Sequence, residues 1–162
     1  MSVDKTSSIN TNLRNVKASS ERIGVLKNVN TVRKFSFTID EPVKLGGTDE
    51  APTPMEYILG SFNGCILIVI ETIAKEIDFA FHRLKSDSIG TIDRRGMKGI
   101  DNISPHFQEV INTIWFETDE SEHRIEELKE KVKDRCPAYN LFKDTGIPIS
   151  LNWIKIKEGV TE

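Results

Sequence analysis

Three short stretches near the start of the chain, 13–19, 22–28 and 31–40, alternate apolar and polar positions or carry β-branched residues, with Val32, Phe35, Phe37 and Ile39 as apolar anchors. Alternation with a period of two marks half-buried strands. The breaks at Ser19-Ser20 and at Asn28 to Asn30 are predicted turns. Connections this short exclude parallel crossovers, so antiparallel hairpins are expected. Residues 41–54 then hold three prolines and two glycines, a composition that fits neither a helix nor a central strand and predicts an ordered loop. From Met55 to about Asp78 the period changes. Thr53 is a candidate N-cap, Pro54 a candidate first helical residue and Glu56 an acid in the first turn, which together predict a helix start. The middle of this segment is apolar on most faces, as in a helix packed inside a fold or a dimer. Gly60 and Asn63-Gly64 break the local rule, at roughly 1 kcal/mol per Gly relative to Ala, and predict close packing or a kink near Cys65.

The second half alternates again. Residues 82–95 and 106–118 are predicted strands, the second too mixed to name its buried face, with a charged, glycine-bearing loop between them. Asp119 or Ser121 can cap a helix over 121–135, whose Ile125, Leu128 and Val132 make one apolar stripe. Pro137 biases Cys136 out of the helical region and so predicts a stop near Arg135. Residues 149–158 close the domain as a strand. Met1 to about Asn12 is rich in Ser, Thr and Asn without an apolar period, so residues 1–12 are expected as a loose tail and 13–158 as a single domain. No internal repeat is visible.

Composition narrows the function classes. The chain has 162 residues, 38% hydrophobic and 29% charged, which suits one globular domain with a core. A net charge of -3, from 22 basic and 25 acidic residues, supplies no electrostatic reason for binding nucleic acid or an anionic membrane. The longest uncharged apolar run, Gly64 to Ile70, is short against the roughly 20 residues of a membrane span. The first residues lack a signal peptide's apolar stretch. A cytoplasmic location is therefore expected.

Candidate chemistry rests on two cysteines, Cys65 and Cys136. Two are too few for a disulfide framework or a zinc site, so a couple formed by them would be redox-active. Each alone also has a plain reading as a small buried hydrophobe. Arg135 beside Cys136 would favour a thiolate, whereas the end of a helix opposes it. His82, His106 and His123 lack ligand spacing, and no metal is expected. Phe62, Trp115, Tyr139, Phe142 and Trp153 are expected in core packing rather than in a ligand pocket.

The stretch FTIDEPVKLGGTDEAPTPMEYILGSFNGC, followed at a distance by RCPAYNLF, resembles the OsmC/Ohr family of thiol peroxidases and osmotically inducible proteins over about residues 35–150. The resemblance implies an α+β, OsmC-like fold with antiparallel sheets around a long central helix. It also implies an intertwined homodimer with two sites at the interface. Carried over, Cys65 is the peroxidatic residue that attacks an organic hydroperoxide, Cys136 the resolving residue, and a dithiol the reductant that resets the pair. No cofactor is implied.

The pattern also departs from that family. In the hydroperoxide-resistance branch a Glu directly follows the helix-start proline and pairs with an activating Arg, but here Met55 holds that position and the acid is Glu56. At about 100° per residue, an acid ten residues before Cys65 lies about 80° from it, and one nine before lies about 180° away. Glu56 is thus a candidate catalytic acid only if the helix breaks at Gly60 or Gly64; otherwise it serves the helix dipole. Arg14, Arg22, Arg33, Arg94 and Arg95 are all open as its partner, and none is assigned. A non-enzymatic redox-sensing or small-ligand-binding dimer is the alternative function.

Overall fold

A computed structural model describes residues 12–156. The predicted tail, Asn12 apart, and the last two residues of the predicted domain lie outside the described residues. The chain forms two compact units that divide between Pro54 and Met55.

The N-terminal unit is a three-stranded antiparallel sheet of β1 (Ser19–Gly24), β2 (Lys27–Val32) and β3 (Phe35–Ile39), in that order. Three strands and two hairpins are present as predicted, but the turns fall elsewhere. Ser19-Ser20 and Asn28 to Asn30 lie within strands, and the chain reverses at Val25-Leu26 and Arg33-Lys34. Leu26 and Arg33 take φ of 53° and 57° there. That conformation is usually marked by Gly or Asn, so the residue types gave no signal. The hydroxyl of Ser20 donates to Asn30 Oδ1 (2.5 Å), and Asn30 Nδ2 donates to Asn28 Oδ1 (2.7 Å), so the asparagines serve the sheet interior.

The proline- and glycine-rich loop after β3 is ordered around Asp40. Its carboxylate accepts from the amides of Glu41 (2.8 Å), Thr48 (3.2 Å) and Glu50 (3.1 Å) and from the Thr48 hydroxyl (2.5 Å). The two glycines have separate reasons. Gly46 takes φ of 98°, and a Cβ on Gly47 would run into the Glu41 carbonyl.

The C-terminal unit begins with α1 (Pro54–Glu76), an uninterrupted helix through Gly60 and Gly64. The sheet that follows has β4 (Arg83–Ile92), β5 (Phe107–Glu117) and β6 (Ile149–Lys155) in that order, with β5 central. The turn α2 (Arg94–Met97) sits in the β4–β5 connection, where a plain strand end and loop were expected. On β5 the even positions Val110, Asn112, Ile114 and Phe116 face the core, which resolves the face that the mixed pattern left open. Helices α3 (Glu122–Arg135) and α4 (Pro137–Asp144) carry the chain from β5 to β6. Because that connection crosses over rather than turning back, β6 pairs parallel to β5, with Val110 opposite Ile149. The expectation of antiparallel sheets throughout is corrected at this one pairing.

Ser121 rather than Asp119 caps α3, accepting from the amide of Arg124. Helix α4 was not anticipated, although Pro137 supplies its first residue. The core joins Phe62, Ile66, Ile70, Ile73 and Ala74 of α1 to β5 and to Ile125, Leu128 and Val132 of α3. By length and composition α1 could cross a membrane, although its uninterrupted apolar run is short. Its buried stripe instead lies in this core.

Candidate functional site

Cys65 lies in the fourth turn of α1, on the flank of the stripe formed by Phe62, Ile66 and Val69. Cys136 is the single residue between α3 and α4, ending one helix and capping the next. Pro137 forces that break, because its ring cannot continue α3 but can start α4. The two sulfurs, 71 residues apart in sequence, are 3.9 Å from each other, and both thiols are free.

Their surroundings differ. Cys136 is fully buried, and Cys65 is partly exposed. Burial pushes the Cys136 thiol up to about 11, and the sulfur of Cys65 adds to the rise, while the amides of Tyr139 and Ala138 at the start of α4 pull the other way. Arg135 does not offset this. Its guanidinium is taken by the carboxylate of Glu76 in a two-pronged pair (Nη2 to Oε1, 2.9 Å), which raises the Arg and lowers the Glu.

The remaining candidates fall as follows. Because α1 is unbroken, Glu56, nine residues before Cys65, stays on the opposite side of the helix and is exposed. The structure therefore brings Cys65 and Cys136 together and leaves Glu56 apart. Arg95 is engaged by Asp93 (2.7 Å) and Asp101 (3.2 Å). His82 reaches Asp119 at 3.4 Å, and His106 Nδ1 lies 2.6 Å from the Phe107 carbonyl. Among the described residues no group of three or more His, Cys, Asp or Glu side chains could hold a metal ion.

Phe142 of α4 packs its ring on Phe62 (5.2 Å between centroids) and on Phe107 (5.9 Å). Trp153 packs on Phe116 (5.9 Å), whereas Trp115 lies on the outer sheet face under the Lys85 ammonium (4.9 Å). An apolar cavity of about 370 Å³ opens beside Phe142, lined also by Met55, Ile58, Phe107, Thr145 and Ile147. Met55, which directly follows the helix-start proline, thus forms part of an apolar wall.

One cluster escaped the sequence reading. Asn63 Oδ1 accepts from Ser88 Oγ (2.6 Å), Asn112 Nδ2 (3.0 Å) and Ser86 Oγ (3.2 Å), which tie α1 to β4 and β5. The available signal was a polar residue inside an apolar helix, together with serines two apart on one strand.

The model of the OsmC-like protein family matches residues 47–152. An OsmC-like protein from Mycoplasma pneumoniae has a similar structure (TM-score 0.74, 17% identity, 89% of this chain and 99% of that one). So do organic hydroperoxide resistance proteins from Elizabethkingia anophelis (TM-score 0.69, 17% identity, 90% and 99%) and Legionella pneumophila (TM-score 0.67, 16% identity, 88% and 98%). At these identities the likeness shows the fold. No curated protein matches the sequence.

Proposed function

The chain belongs to the OsmC-like family, and we propose that within it this protein is a thiol peroxidase that reduces organic hydroperoxides in oxidative stress defence. The carrying observation is the contact of a partly exposed and a buried thiol at 3.9 Å. The Cys65 thiolate attacks the outer peroxide oxygen, breaking the O–O bond, so that Cys65 becomes a sulfenic acid and the alcohol leaves with a proton. The Cys136 thiol then displaces the hydroxyl, giving the Cys65–Cys136 disulfide and water. A dithiol reductant restores both thiols. This order suits the burial, since the hydroperoxide must meet the accessible sulfur, while a neutral, sheltered Cys136 is kept for the second step.

The working unit in this reading is a homodimer in the cytoplasm, where thiols stay reduced. Ile58 and Ile68 of α1 are exposed in the single chain, which is the support for a second copy covering that face. The placement of Glu56 favours a second reading, in which turnover is lost and the thiols act as a redox sensor or the cavity binds a small ligand.

The test treats the reduced protein with one equivalent of cumene hydroperoxide, with hydrogen peroxide as comparison, and follows free thiols and intact mass. Rapid loss of both thiols with a two-hydrogen mass decrease is expected from the wild type. Cys65→Ser should abolish it, and Cys136→Ser should stop at a sulfenic acid. Slow or no thiol loss in the wild type would leave the sensor or ligand-binding reading.

A further inference from the structure

Asn63 lies two residues before Cys65, about 200° around the helix axis, so the two side chains sit on opposite flanks of the buried stripe of α1. Between them the contacts are apolar, made by Phe62, Ile66, Val69 and Ile70. Apolar packing is non-directional and tolerates small rotations. On the Asn63 flank the contacts are directional. Ser88 and Asn112 are cross-strand partners, and Ser86 lies two residues along the same face of β4. All three donate to the one oxygen of Asn63, and Asn112 Nδ2 is also within reach of Ser86 Oγ (2.8 Å) and Ser88 Oγ (2.9 Å). Asn112 is fully buried, and its own Oδ1 has no donor. Leaving a buried acceptor unpaired costs stability, so the cluster is a poor way merely to fill a core. It is a good way to fix an orientation. Such a fixture matters at Cys65. A rotation of α1 by about 20° would carry a side-chain atom roughly 5 Å from the axis through about 1.7 Å, enough to part sulfurs now in contact.

We infer that Asn63 is a positioning residue for the thiol couple: by accepting hydrogen bonds from Ser86, Ser88 and Asn112 it sets the rotation of α1 that holds Cys65 against Cys136. The inference rests on the thiol-pair reading above. It requires neither a particular oxidant nor peroxide turnover.

The test is the equilibrium of the full-length protein with glutathione buffers, in which both thiols plus one oxidised glutathione give the intramolecular disulfide plus two reduced glutathiones. That constant measures how well the sulfurs are juxtaposed. Asn63→Leu, which keeps the branched side-chain shape but not the acceptor, should lower it about tenfold, equivalent to about 30 mV. Ser88→Ala, which removes the shortest bond at little change in volume, should lower it about threefold and carries the test alone if Asn63→Leu does not fold. Ile73→Val, a truncation of the same helix away from the cluster, should leave it within twofold. If Asn63→Leu or Ser88→Ala lowers the melting temperature but moves the constant no more than Ile73→Val does, the cluster is structural only and the inference falls. If the wild type forms no intramolecular disulfide in any buffer, the thiol-pair reading falls and takes the inference with it.

Discussion

Asp40 in the N-terminal unit and Cys136 in the C-terminal unit are both acids with no exposed surface, yet their surroundings push them in opposite senses. Four hydrogen-bond donors converge on the Asp40 carboxylate, the Thr48 hydroxyl foremost, and hold it well below the usual carboxylate range. Cys136 sits in an apolar cluster, where burial outweighs the nearby α4 amides and keeps it a neutral thiol. Burial alone therefore does not decide a protonation state; the donors delivered to the charged form do. The two units differ in the same way. The N-terminal unit buries Asn30 and Asp40 and leaves Ile23, Val25, Phe35 and Phe37 exposed, while the C-terminal unit closes a continuous apolar core. One buries hydrogen-bonded polar groups without an apolar core, the other an apolar core with the Asn63–Asn112 cluster set into it.

The strongest way to break this contrast is to open the apolar core. Phe62→Ala removes a ring that is 1% exposed and packs against Phe142, and a loss of about 3–5 kcal/mol in unfolding free energy is expected from denaturant titration. The next effect concerns the thiols themselves. With burial pushing the Cys136 thiol up to about 11, its thiolate fraction near neutral pH is far below that of an unperturbed cysteine. Iodoacetamide at pH 7.5 is expected to label Cys65 first, by peptide mass mapping, with Cys136 labelled at a comparable rate only after unfolding. Equal native rates would mean that Cys136 is not sheltered.

A smaller, local effect is expected at Asp40. Because its folded-state value is depressed, its contribution is present in full above the unfolded value of about 4 and is lost as pH falls through that value towards the folded one. Amide exchange, corrected for its intrinsic pH dependence, should lose protection at Thr48 and Glu50 progressively as pH falls below about 4, while the β5 amides keep theirs. Asp40→Asn should show the same local loss already at pH 7, and uniform loss across both units would show that the loop is not a separate device.

These contrasts explain what the sequence made legible. The start of helix α1 at Pro54 follows from its capping residues, and the stripe of α3 from apolar periodicity, which tertiary packing reinforces. The hairpin turns did not, because Leu26 and Arg33 adopt positive φ without a residue type that advertises it. Helix α4 hid behind Pro137, which reads both as a stop and as a start. At the site, the two cysteines were visible as chemistry, but their contact joins the middle of one helix to the junction of two others, and nothing local encodes that. Asn63 looked like a cost to the helix; only with β4 and β5 in place is its oxygen seen to be used three times. Glu56 turned on whether two glycines bend α1, and propensity alone could not decide that.

The smallest effect tests what covers α1. A Cβ on Gly64 would meet nothing within 4 Å in the single chain, and its φ is not positive. In a helix that stands free, Gly64→Ala should therefore stabilise by roughly 0.5–1 kcal/mol, because alanine has less backbone freedom to lose. A second copy packed on this face, as proposed, reverses the sign, since the added methyl meets the partner helix or sheet. The expected outcome is a lower melting temperature together with a weaker dimer in sedimentation at micromolar protein. A gain in stability with unchanged sedimentation would mean that this face of α1 stays in water, and that the apolar residues on it need another explanation.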